Sequence, residues 1–357
     1  MPRPRELRCL IAAGGTAGHV APALAVADAL RSRGVAVSFA GSPDRVEARL
    51  VPEAGYEFDW FRISGLPRRP SADLARALLL AAAAPRACGR ILAARRPQVV
   101  LGGGGYVAGP MVLAAARRRI PTALTEADAH LGLANRLAAP FARRVFLSFP
   151  IAGRGGPKYV VTGRPIPASS RPVEREEARR QLGLPTDGPV VLVFGGSQGS
   201  QTLNNLALDA WAEQGPAVLH LSGDRHWAEL SSRVSRPEYK LLPFTKEFGA
   251  ALGAADLAVA RAGGSIWEIA AAGKPAIVVP FPHATADHQT ANARYFAGGV
   301  EIVADADAAR VVPGLVDELL ADRGRMDRMA AQMRTLARPE AAEEVAEGVL
   351  ALVEARR

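Results

Sequence analysis

The feature that most narrows the folds open to this chain is a repeated opening. Near the N-terminus an apolar segment, LRCLIAA, runs into paired glycines, a hydroxyl residue and a single histidine in GGTAGH, then into a helical pattern from Pro22 to Arg33. The stretch GPVVLVFGGSQGSQTLNNLALDAW repeats that order of apolar strand, paired glycines, hydroxyl residue and helix. Between and after these openings, short apolar runs alternate with helical periodicity: VAVSFAG, PQVVLGGGG, PTALTEA and RRVFLSF in the first half, then AVLHLSG, YKLLPF, DLAVARAGGS and PAIVVPF in the second. That rhythm belongs to parallel sheets covered by helices, so the expected class is α/β with two doubly wound units. At 357 residues and 49% hydrophobic the chain exceeds one compact core, which agrees with two domains. The proline-rich TGRPIPASSRP at 162–172 reads as the linker, giving domains at 1–163 and 164–340. A final helical stretch, 341–357, could return to the first domain. Pro22 is read as a first-turn proline and Gly34 as a helix C-terminal glycine.

Glycine turns follow strands at four places: GGTAGH (14–19), GGGGY (102–106), GGSQG (195–199) and RAGGS (261–265). None is a dinucleotide or P-loop fingerprint, yet each strips side chains from a strand end where backbone can approach a phosphate or sugar. GGSQG also fits the nucleophile elbow G-x-S-x-G, so an esterase with Ser197, Asp256 and His283 has to be weighed. The plainer alternative is that Ser197 caps the following helix.

The segment 260–293 is the densest in polar groups. Ser265 and Glu268 spell S-x-x-E ahead of an apolar helix, which by itself is a capping box. His283, Asp287, His288, Gln289 and Asn292 follow without metal-ligand spacing and suit hydrogen bonding to a polyhydroxyl ligand. Asp305, Ala306 and Asp307 form a D-x-D read as a surface helix cap. His220, inside an apolar strand, reads as a satisfied core histidine; His130 and His226 are undecided. His19 differs, because it stands at the mouth of the first glycine turn, where an imidazole can serve as a base.

A formal charge of +9 and a pI near 10.2 favour anionic partners. Aromatics are only 6% and no basic run is interleaved with stacking residues, so nucleic acid is not expected. Cys9 and Cys88 give neither a disulfide framework nor metal spacing, and a reducing, cytoplasmic setting is expected. The N-terminus reaches a glycine turn after one strand-length of apolar residues, so no secretory signal is expected, and the apolar run Ala77–Ala84 is too short to span a bilayer.

Through AAGGTAGHVAPALAVA, GGGGYVAGP, FGGSQGSQTLN and RAGGSIWEIAAAGKPAIVVPFPHATADHQTANA, over nearly its whole length, the chain resembles the MurG family of peptidoglycan glycosyltransferases, glycosyltransferase family 28. The resemblance implies a GT-B fold, two Rossmann-like domains facing an interdomain cleft. It also implies inverting transfer of N-acetylglucosamine from UDP-GlcNAc to the muramic acid 4-hydroxyl of lipid I, giving lipid II. A related glycolipid glycosyltransferase is the near alternative. No metal or other cofactor is implied.

By that resemblance Thr16, Ala17 and Gly18 lie beside sugar and diphosphate, Ser197 meets the diphosphate, and Arg261, Ala262, Gly263, Gly264, Ser265 and Glu268 hold uridine and ribose. Gln289 meets the donor sugar, and Gly103, Gly104, Gly105 and Tyr106 form the acceptor loop. His19 is the implied base or orienter of the acceptor, with Asp128 its rival. Several motifs depart from the family pattern. Ala17 replaces a glycine of G-T-G-G-H. Thr125, Glu126, Ala127 and Asp128 stand for H-E-Q-N, so that Asp128 takes the position where an asparagine amide binds the donor. Gly163, Arg164, Pro165, Ile166 and Pro167 stand for G-N-P-V-R, leaving Arg164 to compensate. RAGGSIWE is one residue short. A lipid acceptor implies peripheral attachment to the anionic cytoplasmic face of the membrane, and admits other cell-wall and division proteins as partners. Leu66, Leu74, Leu78 and Leu79 beside Arg68, Arg69, Arg76 and Arg86 have the composition of an interfacial patch. A core helix with a solvated arginine face is the alternative.

Overall fold

The computed structural model describes residues 6–65 and 71–355, apart from the side chain of Leu78. Two compact units emerge: residues up to Pro167 together with those from Pro339 onward, and residues Ala168–Arg338.

The first unit runs β1 (Arg8–Ala12), α1 (Ala17–Arg31), β2 (Ala36–Gly41), α2 (Glu47–Glu53), β3 (Glu57–Trp60), α3 (Ala72–Arg95), β4 (Val99–Gly102), α4 (Ala108–Arg117), β5 (Thr122–Glu126), α5 (Leu133–Ala138), β6 (Arg144–Leu147) and β7 (Tyr159–Val161). Its strands form one parallel sheet in the order β3-β2-β1-β4-β5-β6-β7. The second unit runs α6 (Arg175–Leu182), β8 (Val190–Phe194), α7 (Gln201–Trp211), β9 (Ala217–Leu221), α8 (Asp224–Leu230), β10 (Tyr239–Leu242), α9 (Phe248–Ala254), β11 (Leu257–Ala260), α10 (Ile266–Ala271), β12 (Ala276–Val278), α11 (His288–Tyr295), β13 (Val300–Ile302), α12 (Ala308–Ala321) and α13 (Arg323–Leu336). Its parallel sheet has the order β10-β9-β8-β11-β12-β13. Strands such as LIA in β1 and VVLVF in β8 are apolar throughout because helices cover both faces of a parallel sheet.

In both sheets the strand order reverses beside the first strand, between β1 and β4 and between β8 and β11. Such switch points open a crevice at the carboxyl ends of the strands. The turns at 14–19 and 102–106 follow the first pair, and those at 195–199 and 261–265 follow the second. All four glycine turns therefore stand at the two switch points.

The last helix, α14 (Ala341–Glu354), belongs to the first unit. Val345, Val349 and Val353 are buried in the cluster that holds Val20, Val26 and Leu30 of α1. Arg164, assigned from the sequence to the head of the second domain, lies in the first unit.

Several local expectations are corrected. Pro22 sits inside α1, past its first turn. A proline there offers no N–H to the carbonyl four residues back, which is that of Gly18. The guanidinium of Arg164 supplies the missing donor, Nη2 to Gly18 O at 2.5 Å. Ser265 precedes α10 without capping it through its side chain, so the S-x-x-E capping box does not form. Ser200, not Ser197, caps α7, accepting from Leu203 N at 3.4 Å. Asp307 makes no side-chain cap on α12 and pairs with Arg310 at 2.8 Å instead.

The register also removes the esterase. Ala260 aligns with Phe194 and Leu257 with Val191, so Asp256 lies at the amino end of the sheet while Ser197 lies beyond its carboxyl end. Four strand residues separate the two levels, about 13 Å at the usual rise. The Asp256 carboxylate is occupied by Arg179 (2.7 Å), Arg175 (3.0 Å) and the Val190 amide (2.8 Å). His220 is buried with both ring nitrogens engaged, Nδ1 with Tyr239 Oη at 2.8 Å and Nε2 with Asn204 Oδ1 at 3.0 Å. Burial pushes its pKa down to about 3, so it stays neutral and structural.

Candidate active site

In the first unit the two glycine turns press against each other. Gly103 N donates to Ala12 O at 2.8 Å, holding the second turn to the end of β1. Gly104 (φ 102°) and Gly105 (φ 74°) occupy backbone that side-chain-bearing residues avoid. A methyl on Gly104 would stand 2.5 Å from His19 Cδ2, and one on Gly105 would strike the Gly14 carbonyl. The Tyr106 ring lies over Gly15. The expected acceptor-loop residues and the first turn are thus one surface, with His19 on it.

His19 is half-buried in the first turn of α1, its Nδ1 3.2 Å from Thr16 Oγ1. Thr16 is the helix N-cap residue but makes no side-chain cap, which leaves its hydroxyl to the imidazole. Burial lowers the His19 pKa below 6.5, the Arg164 cation lowers it further, and the Asp128 charge partly offsets both. A neutral imidazole at neutral pH follows.

Two carboxylates that sequence reasoning did not place as scaffolding hold this surface. Glu47, buried at the start of α2, accepts from Gly15 N at 2.9 Å and from Ser42 N at 3.0 Å. Nothing in SPDRVEARL marks it, because its partners are backbone amides, one of them 32 residues away. Glu126, at the end of β5, accepts from Ala127 N (2.9 Å), Asp128 N (3.3 Å), Gly132 N (2.9 Å) and Asn135 Nδ2 (2.9 Å). Burial raises its pKa, and those donors oppose the rise. Glu126 therefore shapes the 127–132 loop, and Asp128, half-buried on that loop, is near enough to act on the His19 charge. Asn135, another residue missed from the sequence, also donates to Thr125 O at 2.9 Å. It lines a small cavity with His19, Gly104, Ser148 and Arg164, and its buried Oδ1 has no hydrogen-bond partner among the described residues.

In the second unit the turn 195–199 folds back on Ser200, and Ser197 stands exposed at its tip. Arg261 is buried, with Nε on Ser200 Oγ (3.0 Å) and Nη1 on Val279 O (3.1 Å), Pro280 O (3.3 Å) and Asp305 Oδ1 (2.5 Å). Those two nitrogens are thereby committed inside the protein. Ala262 O accepts from the buried Asn292 at 3.1 Å, which fixes the 261–265 turn. Gln289 Oε1 accepts from Phe281 N at 2.9 Å while its Nε2 lies beside Gly263. Glu268, on α10, accepts from Ser170 Oγ at 2.5 Å and remains partly exposed. Ser197, Gly263, Gly264, Ser265, Glu268 and Gln289 all lie at or just beyond the carboxyl ends of β8, β11 and β12. His283 and Asp287 stay exposed on the loop after β12 and half-buried His288 opens α11; Asp287 accepts from Thr290 and His288 Nδ1 sits 2.8 Å from Thr285 O.

Residues 9–147 match the glycosyltransferase family 28 N-terminal domain, and residues 190–345 match the family's C-terminal domain. The chain belongs to glycosyltransferase family 28. It is 43% identical over 334 residues to a curated protein of Rubrobacter xylanophilus, covering 91% of this chain and 98% of that one. A protein of Salinibacter ruber is 39% identical over 365 residues, covering 99% of both chains. Each bears the name UDP-N-acetylglucosamine–N-acetylmuramyl-(pentapeptide) pyrophosphoryl-undecaprenol N-acetylglucosamine transferase. Among solved structures, the crystal structure of Acinetobacter baumannii MurG superposes with a TM-score of 0.77 at 29% identity, covering 97% of this chain and 99% of that one. A kitacinnamycin glycosyltransferase, at 18% identity and a TM-score of 0.73, shares the fold. The chain is a glycosyltransferase with the two Rossmann-like units of the GT-B class.

Packing of Gly104 on His19 yields a direct expectation. Gly104→Ala, whose methyl meets the His19 ring at a strained positive φ, should lower turnover at least tenfold and melting temperature by several degrees. Wild-type turnover in that variant would contradict the described contact between turn and imidazole.

Proposed function

We propose that this glycosyltransferase moves N-acetylglucosamine from UDP-GlcNAc to the 4-hydroxyl of the N-acetylmuramyl group in lipid I, forming lipid II for peptidoglycan. The single observation that carries the chemistry is the pairing of glycine turns at both switch points, with a histidine, His19, at the mouth of the first unit's opening turn. The names of the relatives supply the substrates.

The acceptor belongs to the first unit and the donor to the second. A base removes the proton of the acceptor hydroxyl as its oxygen bonds to the anomeric carbon, while the bond from that carbon to the diphosphate oxygen breaks and UDP leaves. His19 is suited to removing that proton, because with Nδ1–H donated to Thr16 Oγ1 its Nε2 is available to accept it. Asp128 is the rival candidate for the base; with His19 as the base, the Asp128 charge favours the imidazolium that forms. Backbone amides of the 195–199 turn and the N-terminus of α7 stabilise the departing diphosphate, with Ser197 at its edge. Glu268 takes the ribose hydroxyls, the Gln289 amide meets the donor sugar, and no cofactor enters the scheme.

The acceptor is a lipid, and the first unit carries apolar residues in water. Helix α3 is long and apolar enough, by length and composition, to cross a bilayer. The sequence expectation that no helix passes that test is corrected on this point. Its second half is nevertheless anchored in the core through Ala84, Cys88 and Leu92. Its first half leaves Leu79 73% exposed beside the exposed Arg76, with Arg86 exposed further along. Leu66, Arg68, Arg69 and the Leu78 side chain, part of the expected patch, lie outside the described residues. Leu133, Leu137 and Phe141 add exposed apolar groups at four-residue intervals, flanked by Arg136 and Arg143. Apolar contact plus cations is the composition of a peripheral attachment to the anionic cytoplasmic leaflet.

The test of the reaction is UDP release from UDP-GlcNAc with and without a short-chain lipid I analogue. Release should require the acceptor, and the acid limb of kcat/KM should fall below pH 6.5, because lowering the His19 pKa extends the neutral base to lower pH. Absent or acceptor-independent release would overturn the assignment. For attachment, Leu79→Glu should reduce co-sedimentation with anionic vesicles at unchanged melting temperature; undiminished co-sedimentation would count against the patch.

A further inference from the structure

Arg261 is a buried cation that joins four segments of one sheet edge. Its guanidinium holds Ser200 at the start of α7, the carbonyls of Val279 and Pro280 beyond β12, and Asp305 ahead of α12, while Arg261 itself directly follows β11. Ser200 follows the 195–199 turn directly and packs against Gly195. Both glycine turns of the second unit are thus tied to one side chain. A buried guanidinium requires a counter-charge and a full set of acceptors, since removing its partner leaves an uncompensated charge. Asp305 is the carboxylate that pairs with it among the described residues, and its second oxygen accepts from Thr202 Oγ1 at 3.5 Å.

We propose that Asp305 is a positioning residue for donor binding: through Arg261 it fixes the spacing of the 195–199 and 261–265 turns. The proposal rests on the reading that the second unit holds the UDP donor. With Nε and Nη1 committed to Ser200, two carbonyls and Asp305, Arg261 acts as a brace for the turns, and phosphate recognition falls to turn backbone and Ser197. Without the Asp305 charge the guanidinium loses its fixed orientation, Ser200 loses its donor, and the two turns separate. Bound donor can restore their spacing at the expense of affinity, so the loss appears in donor KM more than in kcat. The neighbouring Asp307 offers an internal comparison, since it pairs with the exposed Arg310 on the surface.

The experiment compares wild type, Asp305→Asn, Asp305→Glu and Asp307→Asn by UDP calorimetry, by donor and acceptor kinetics, by melting temperature and by amide hydrogen exchange. Asp305→Asn should raise the UDP Kd and donor KM roughly tenfold, the scale of one charge-assisted hydrogen bond, leaving acceptor KM unchanged and kcat at saturating donor within about threefold. Exchange should quicken at 196–200 and 262–265 without quickening across the β8 and β9 core. Asp305→Glu should recover most of the affinity, and Asp307→Asn should match wild type. Unchanged donor KM and exchange in Asp305→Asn, or tighter UDP binding through a released Arg261, would overturn the proposal. So would a loss of affinity matched by uniform exchange and a lowered melting temperature, which marks a stability residue. Wild-type protein that binds no UDP would defeat the donor reading instead, while the exchange comparison would still report on the clamp.

Discussion

The close approach of glycine backbone at each switch point is the constraint on which the rest of the site depends. Parallel sheets with this strand order diverge beside their first strands, and the gap admits a ligand only if the loops above it carry no side chains in the way. In the first unit Gly105 passes over the Gly14 carbonyl and Gly104 over the His19 ring, at positive φ that other residues adopt only under strain. Such tight turns expose amides that need partners, and buried groups meet the need: Glu47 for Gly15 and Ser42, Glu126 for the loop carrying Asp128. The second unit solves the same problem with a cation, Arg261, bound to carbonyls and one carboxylate. A buried charged side chain, its hydrogen bonds made inside the protein, thus holds the turns in each unit.

This arrangement sets the electrostatics of the reaction. Arg164 takes up the carbonyl that Pro22 leaves without a helical donor, and its charge helps keep the neighbouring imidazole neutral. A cation beside the imidazole also favours anions there, so one residue serves geometry and charge together. The overall excess of positive charge is otherwise carried on exposed surface, including Arg117, Arg118 and Arg119 at the end of α4 and the arginines flanking Leu133 and Leu137.

The backbone plan is legible in the sequence because it is written locally. Apolar runs, glycine pairs and helical periodicity mark the strands and turns, and an isolated histidine within an apolar strand is a core histidine for the same reason. What escapes such a reading is written non-locally. Glu47 and Asn135 act on backbone groups that no spacing rule connects to them. Asp305 looks like a helix cap because its partner stands 44 residues earlier, and Ser265 with Glu268 matches a capping box whose hydrogen bonds the structure gives elsewhere. Pro22 lies a few residues deeper in its helix than the local pattern suggests, enough to hide why Arg164 is there. The roles proposed for Ser197 and Gln289 come from family likeness, since composition and periodicity give them none.

In the proposed reaction the first unit handles the proton and the second the nucleotide. UDP affinity and saturated turnover measured together in His19→Ala and Glu268→Ala test that division most directly. His19→Ala should lose about 10²- to 10⁴-fold in turnover, the usual scale of general-base catalysis, with UDP affinity nearly unchanged; Glu268→Ala should weaken UDP binding. A His19→Ala variant that turns over normally, or a Glu268→Ala variant that loses only thermal stability, would contradict the account.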